Sequence, residues 1–412
     1  MRPLLYTLTS SLHGEMAPDP RQEPFIREIE AAIGAAFDCR GDDFSGYGLG
    51  DSPELIYIRT GGTEGLFLEK VAPVLSGPET KDLRPVRLLA SGQSNSLAAA
   101  MEILSWLRQR GIAGEILHGS PAAIAARIRD FAAPPVIRGA ETDVFAPGDR
   151  ILAGKRFGVI GRPSDWLISS GVDYAAAKER LGAELIDIPI DELVAEARKH
   201  GPIPGQPTRL KPLNEPKYGR KIDAGDWQGA VAIYEALKVL VARYRLDGLT
   251  LRCFDLLTAL HDTGCLALAM LNAEGVTATC EGDIPAMLSM AVARALTGKS
   301  SFQVNLSRIE GDRMLFAHCT VPLDIVQDYC YDTHFESGIG VAIHGQLPEG
   351  PVTLFKLSPD FRRVFRREAR LVANPYDDCL CRTQVVVEAP GAAAYFLQNP
   401  IGNHHIIVPG KL

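Results

Sequence analysis

Strand-like and helix-like runs alternate through most of the chain. That alternation narrows the available folds more than any other feature, because strand, helix, strand repeats close into parallel sheets covered by crossover helices. Residues 4–9, 55–60, 86–91 and 114–117 read as short strands with amphipathic segments between them. The segment 95–110 sets Leu97, Met101, Leu104 and Leu107 on one helical face and stops at Gly111, a residue suited to a helix C-terminus. A second block opens with strands 156–160 and 184–190. It then meets an irregular stretch, 200–220, whose five prolines (Pro202, Pro204, Pro207, Pro212 and Pro216) make it a loop. Asp226 caps a helix with the apolar stripe Ala230, Ile233, Leu237, Leu240 and Tyr244. Strand 248–252, a helical run 260–273, strand 276–280, helix 284–296 and strands 301–309 and 314–318 follow. Beyond about Pro322 only short strands remain, near 338–343, 352–357, 368–372, 383–387 and 405–408, with no convincing helix between them. The expected organisation is α/β: an N-terminal α/β domain over 1–150, a second over 151–322 and a C-terminal β-domain over 323–412.

Composition excludes several partners. The chain has 412 residues, 46% hydrophobic and 23% charged, enough for a large core shared among about two or three domains. A net charge of -7 without long like-charge runs offers none of the basic surface that nucleic acid requires. No apolar run reaches the roughly 20 residues of a membrane span, so membrane insertion is not expected. Residues 1–15 lack the basic head and apolar core of an export signal. The eight cysteines lack the density of a secreted scaffold. The cytoplasm is the expected location. Heptads, solenoid repeats and low-complexity tracts are missing, which disfavours an interaction scaffold.

The chemistry concentrates where two strands end. Strand 248–252 runs into Cys253 and Asp255, and after one helix length strand 276–280 runs into Glu281, Gly282 and Asp283. A right-handed crossover makes these strands parallel and brings both acidic ends to one edge of the sheet, the edge at which open α/β sheets bind ligands. Clustered carboxylates repel, so a cation or a shared proton is needed, and oxygen donors with an imidazole suit Mn²⁺ or Mg²⁺. The competing reading is that Asp255 and Asp283 only cap the helices that follow them. Only one of Glu281 and Asp283 can sit at an N-cap, which favours a functional role for this trio.

Other candidates are single residues. His404 and His405 adjoin near the C-terminus, and on a strand adjacent side chains face opposite ways, so one of them can reach a site. His318 and His334 are candidates of the same kind, each equally suited to packing. The cysteines lack a C-x₂-C pair and read as small buried hydrophobes rather than zinc ligands, although a Cys nucleophile with a His base stays open. The glycine-rich segment 59–65 follows a strand and opens a helix, so its amides are placed to meet an anion or a polyol. Asn95, between Ser94 and Ser96, caps the helix 95–110 or meets a polar ligand.

Taken together, Cys253-Phe254-Asp255, Cys280-Glu281-Gly282-Asp283, Ala317-His318-Cys319, His334-Phe335-Glu336-Ser337-Gly338 and Gly402-Asn403-His404-His405 resemble the L-fucose/L-arabinose isomerase superfamily, in particular its short fucose isomerase-like branch. The likeness covers most of the chain and is looser at Thr60-Gly61-Gly62-Thr63-Glu64 and Ser94-Asn95-Ser96. It implies two Rossmann-like, doubly wound α/β domains followed by a β-barrel-like domain, assembled as a homotrimer or homohexamer with sites near subunit boundaries. It also implies a Mn²⁺-dependent aldose-ketose isomerase, with Mg²⁺ or Co²⁺ as other divalent cations. By motif position Glu281, Asp283 and His404 are the implied metal ligands, and Asp255, Glu281 and Asp283 the implied catalytic acids. Thr63, Glu64, Asn95, His318 and His334 are implied substrate contacts. Asp255 stands where the relatives carry glutamate, a departure that puts its role in question. A proton moved between C1 and C2 of an open-chain sugar through a cis-enediol needs a base, an acid and a cation, and carboxylates near a metal supply all three. The readings from other classes are a non-catalytic sugar-binding protein on the same scaffold and a metal-dependent sugar epimerase or lyase.

Overall fold

Five short strands, β1 (Leu4–Leu8), β2 (Asp38–Gly41), β3 (Glu54–Ile58), β4 (Val86–Ala90) and β5 (Gly114–Leu117), align in parallel in the order β2-β1-β3-β4-β5. They belong to a computed structural model that describes residues 2–10, 19–76, 84–131, 142–144, 150–200 and 222–412. Strands β3 and β4 are buried along their whole length because both sheet faces are covered, as continuous apolar strands require. On one face Leu5, Leu55, Tyr57 and Leu89 pack against Ile26 and Ile29 of α1 (Pro24–Ile33). On the other face Ile56, Ile58 and Leu88 belong to a core shared with Phe67 of α2 (Glu64–Lys70), Leu75 of α3 (Ala72–Leu75) and Leu97, Met101 and Leu104 of α4 (Ser96–Gln109). Ile124 and Ile128 of α5 (Pro121–Arg129) complete the first face. A three-residue strand, β6 (Thr142–Val144), follows.

The second sheet repeats this plan. Strands β7 (Arg156–Ile160), β8 (Glu184–Ile188), β9 (Gly248–Leu251) and β10 (Thr277–Cys280) are parallel in the order β10-β9-β7-β8. Helices α6 (Tyr174–Arg180), α7 (Ile190–Ala197), α8 (Ala224–Tyr244), α9 (Asp255–Ala259), α10 (Cys265–Ala273) and α11 (Ile284–Thr297) connect and follow them. Strand order reverses on either side of β7 and β9, the switch point at which such sheets open a crevice. Helix α8 is capped by Asp223, which accepts from the Asp226 amide at 2.8 Å, so Asp226 lies inside the first turn rather than at the cap. The proline-rich loop expected over 200–220 falls outside the described residues from 201 onward.

The remaining strands close a barrel. β11 (Phe302–Glu310), β12 (Arg313–His318), β15 (Gly350–Leu357), β16 (Arg363–Ala373), β17 (Thr383–Glu388) and β18 (His405–Pro409) pair in the antiparallel order β15-β18-β11-β12-β17-β16, and β16 pairs back to β15. A separate ribbon of β13 (Asp328–Asp332) and β14 (Ala342–Gln346) stands beside it. Two of the six staves, β11 and β12, lie before residue 322, so a domain division at that point separates strands that share one barrel. Their hairpin gains its partners only from chain that follows, β17 and β18. β6 also leaves the N-terminal block to pair with β16. One helix, α12 (Ala393–Gln398), interrupts the expected all-β texture, because its Tyr395 and Phe396 pack inward against Phe365 and His405.

Barrel and second sheet are tied at the ligand edge. The Gln303 side chain of β11 accepts from the Cys280 amide at 2.8 Å. β18 pairs Val304 with His405, so the Asn403-His404 segment arrives beside the end of β10.

Candidate metal centre

Strand β10 ends at Cys280, and three residues must carry the chain into α11. Two successive left-handed residues do this, Glu281 at φ 65° and Gly282 at φ 71°. A glutamate in that region costs about 1–2 kcal/mol, so the surroundings must hold it there. They do so with the Ser164 amide donating to the Glu281 carbonyl at 3.0 Å and the Gly282 amide to the Leu251 carbonyl at 3.0 Å. Asp283 is the N-cap of α11, accepting from the Ala286 amide at 2.6 Å. Its other oxygen points elsewhere, so capping and a site role coexist in one side chain.

That second oxygen meets His404 Nδ1 at 2.9 Å, which turns His404 Nε2 toward Glu281 Oε1, 3.3 Å away. His318, at the end of β12, brings its Nε2 to 3.8 Å from the same oxygen while its Nδ1 hydrogen-bonds Thr320 Oγ1 at 3.0 Å. Ligand atoms of Glu281, His318 and His404 all lie within 4.8 Å of one another, so this group could hold a metal ion. The donor set fits a cation on its own terms. His404 Nε2 is buried and has no hydrogen-bond partner, both rings are fixed through Nδ1, and an aspartate behind a histidine is the usual support for a metal-binding imidazole.

Electrostatics point the same way. Burial would raise the Glu281 carboxyl, yet the imidazoles of His404 and His318 outweigh it and hold the group well below the usual carboxylate range. Burial likewise opposes charge on His404, but Glu281 and Asp283 push its pKa up to about 10. Without a cation, a proton on His404 supplies the positive charge this cluster needs. Lys356 of β15 is fully buried with its ammonium 3.5 Å from Asp283 Oδ2, which favours the ionised aspartate. Trp166 Nε1 donates to Glu281 Oε2 at 2.5 Å and fixes the carboxylate plane.

A narrow cleft beside Glu281 is lined by Glu64, Asn95, Trp166, Phe254, Asn305, Glu336 and Asn403, among others. Three of its polar atoms, Glu64 Oε2, Asn305 Oδ1 and Asn403 Oδ1, are buried without a hydrogen-bond partner. The two amide oxygens are acceptors, the complement of sugar hydroxyl donors, while burial holds the Glu64 carboxyl well above the usual carboxylate range, so that in its protonated form it donates as well as accepts.

The sequence candidates distribute unevenly around this centre. Glu281, His404 and His318 converge, with Asp283 directly behind His404. Glu64 and Asn95 line the cleft, and His334 is buried edge-on to Phe254, 5.6 Å between ring centroids. Thr63 is buried and donates to the Thr60 carbonyl at 2.9 Å, which makes it a support of the glycine turn. His405 turns the other way from His404, bonding Tyr395 Oη at 2.8 Å inside the aromatic packing. Asp255 does not converge. It lies at the start of α9, 39% exposed, paired to Arg252 Nε at 2.9 Å. The chain turns into helix immediately after Cys253, so this acid faces the Arg252 guanidinium rather than Glu281. Asp255→Asn is therefore expected to leave metal affinity within about twofold and to cost less than about 1 kcal/mol of stability, because Arg252 keeps its charged partner Asp165 and its bond to the Pro163 carbonyl. Metal titration and thermal melting check this.

Trp166, Asn305, Glu336 and Asn403 carry no mark of a role in the sequence reading. Asn403 and Glu336 adjoin His404 and His334 within Gly402-Asn403-His404-His405 and His334-Phe335-Glu336-Ser337-Gly338, and that adjacency is the available signal. Asn305 and Trp166 come from a barrel strand and a loop that only the tertiary structure brings to the cleft. Among the described residues no helix is long and apolar enough to cross a membrane.

No family model matches the chain. It is similar to a curated protein named sulfoquinovose isomerase from Clostridium sp. (strain MSTE9), 30% identical over 141 residues, which is 33% of this chain and 30% of that protein. Proteins of the same name from Priestia aryabhattai and Priestia megaterium (strain ATCC 12872 / QMB1551) are each 25% identical over 188 residues, 43% of this chain and 42% of theirs. The chain spans less than half the length of these curated relatives. Over that share, the proteins it is similar to are ones named for isomerising sulfoquinovose.

Proposed function

We propose that this protein is a metal-dependent aldose-ketose isomerase acting on a sugar through a cis-enediol. The observation that carries the reading is the Glu281, His318 and His404 group, whose Glu281 lines a cleft that also presents three unpartnered buried oxygens, Glu64 Oε2, Asn305 Oδ1 and Asn403 Oδ1. The names of the partial relatives support the same class and put sulfoquinovose first among substrates to try. When bound, a divalent cation would polarise the adjacent sugar oxygens and stabilise charge that develops on them. Glu281, His318 and His404 would hold it, with Asp283 and Thr320 fixing the two rings. Glu64, Asn305 and Asn403 would hydrogen-bond substrate hydroxyls and set which carbon faces Glu281. Trp166 and Phe254, packed edge to face at 4.9 Å, would shield that carbon from water. Two imidazoles beside one carboxylate suit Mn²⁺ or Co²⁺ better than Mg²⁺, which prefers oxygen donors. A homotrimer or homohexamer belongs to the same proposal, and sedimentation velocity measures it.

The test is NMR in D₂O with Mn²⁺-loaded protein and a panel of neutral aldoses and ketoses together with sulfoquinovose. Deuterium at C1 or C2 with formation of the partner sugar is expected, and loss of both after chelation. Metal-loaded protein that converts no sugar in the panel and exchanges no C–H would overturn the reading in favour of a binding protein. Exchange without the partner ketose would move it to an epimerase or lyase.

Metal affinity carries a pH signature. A cation that binds His404 Nε2 must displace the proton held there, so affinity rises with pH, by up to about tenfold per unit below the value near 10. Calorimetric titration with Mn²⁺ in buffers of different ionisation enthalpy should show release of about one proton at pH 7.

A further inference from the structure

Moving a proton between two carbons needs a carrier that reaches both, and a carboxylate committed to a cation serves that purpose poorly. With Asp255 turned toward Arg252, the cleft keeps two other carboxyls, Glu64 and Glu336. They are held differently. Glu64 opens α2, is nearly fully buried, and leaves Oε2 without a partner, the condition of a group awaiting a hydroxyl. Glu336 lies on the segment between β13 and β14, where Asn95 Nδ2 donates to its Oε1 at 2.7 Å and His334 Nε2 stands 3.8 Å from its Oε2. The His334 ring is steadied through Nδ1 by Ser337 Oγ at 3.0 Å. Glu336 is thus the carboxyl that combines a fixed orientation, a place on the cleft wall and a neighbouring imidazole 3.8 Å away.

We propose that Glu336, backed by His334, is the acid-base group that carries the proton between C1 and C2, an assignment that rests on the isomerase reading. In the aldose-to-ketose direction its carboxylate takes the proton from C2. The C2–H electron pair becomes the C1=C2 double bond as the carbonyl pair moves onto O1. The O2 hydrogen passes to O1, a C=O bond forms at C2, and the Glu336 carboxylic acid returns its proton to C1. Nothing is gained or lost overall. The environment suits the task, since burial, reinforced by the charge of Glu281, pushes the Glu336 pKa up to about 8, close to the point at which a group both accepts and returns a proton at neutral pH. His334, buried beside Phe254, is held below its usual value and stays neutral.

The experiment uses full-length Mn²⁺-loaded protein and a sugar that the wild type converts, with turnover, KM, C–H exchange in D₂O and metal content measured for Glu336→Gln, Glu336→Asp and Glu64→Gln. Glu336→Gln is expected to lower turnover and exchange together by about 10²–10⁴ with KM and Mn²⁺ content held. Glu336→Asp should recover part of the loss, and Glu64→Gln should raise KM instead. Exchange at the wild-type rate in Glu336→Gln would overturn the assignment. So would a loss of Mn²⁺ equal to the loss of turnover without recovery in Glu336→Asp, which would make Glu336 a structural support. A wild type that binds Mn²⁺ but neither exchanges nor converts any sugar overturns the isomerase reading, and this inference with it.

Discussion

Glu281→Gln is expected to empty the centre of its cation and to cut sugar conversion by at least about 10³, while the protein stays folded. The substitution keeps the side chain's shape and an oxygen to face His318 and His404, but removes the one formal negative charge among the three ligand atoms. Two neutral imidazoles and an amide oxygen make a weak site for a divalent ion. Asp283→Asn should behave differently, because Asp283 touches the ring behind Nε2 and not the cation position. Loss of such a supporting carboxylate typically costs about 10–100-fold in metal affinity. Its turnover should therefore recover at high Mn²⁺, whereas that of Glu281→Gln should not. Metal content after dialysis, followed by turnover against added Mn²⁺, separates the two. A Glu281→Gln protein that retains stoichiometric metal would remove Glu281 from the ligand set. Asp283→Asn also leaves the Lys356 ammonium without a charged partner in a fully buried place, so some loss of stability accompanies it.

What the sequence made legible follows from what is local. Parallel strands, crossover helices and the acidic turn at the end of β10 are written in runs of under about 30 residues, the length of a βαβ unit. That is why Glu281 and Asp283 stand out, and why the strand-edge argument brings them to a ligand crevice. The division of labour between them is not local. Asp283 satisfies a capping rule and a site rule together, and only the position of His404, from the far end of the chain, shows which oxygen does which. His318 reads as a substrate contact because nothing in its neighbourhood says that β12 is a stave of a closed barrel whose end meets β10. The barrel itself hides in the same way. β11 and β12 look like the tail of an α/β block until β17 and β18 pair with them, and although β15 and β16 form a local hairpin, it joins the barrel through β18 and β17, contacts no periodicity encodes. Asp255 illustrates the reverse hazard. The βαβ logic correctly brings its strand to the crevice, but the chain enters helix α9 at Asp255 itself, where the side chain pairs with Arg252.

Gly282→Ala is expected to be the most damaging single-methyl change near the centre, costing about 3 kcal/mol or more and most of the activity. Two penalties coincide at this residue. Its φ of 71° lies in the left-handed region that a side chain resists, and a Cβ there would stand 2.5 Å from the Arg162 carbonyl oxygen and 2.7 Å from Pro163 Cα. Both obstacles are backbone, so no rotamer change relieves them. The loop after β7 would have to retreat, and that same loop supplies the Ser164 amide that holds the Glu281 carbonyl and the Trp166 ring that holds its carboxylate. Moving it removes the contacts that hold Glu281 in its strained left-handed conformation, and the carboxylate leaves the two imidazoles. Gly402→Ala provides the comparison. It too has a positive φ, 65°, but its Cβ would meet Ser170 Oγ at 3.0 Å, Glu102 Oε2 at 3.1 Å and Ser169 Oγ at 3.6 Å, all side-chain atoms rather than backbone. Chemical denaturation should show a clear difference between the two variants, with Mn²⁺ binding lost in Gly282→Ala and weakened in Gly402→Ala. If Gly282→Ala instead matches the wild type in both stability and metal binding, the clamp between the β7 loop and the acidic turn is not what positions Glu281.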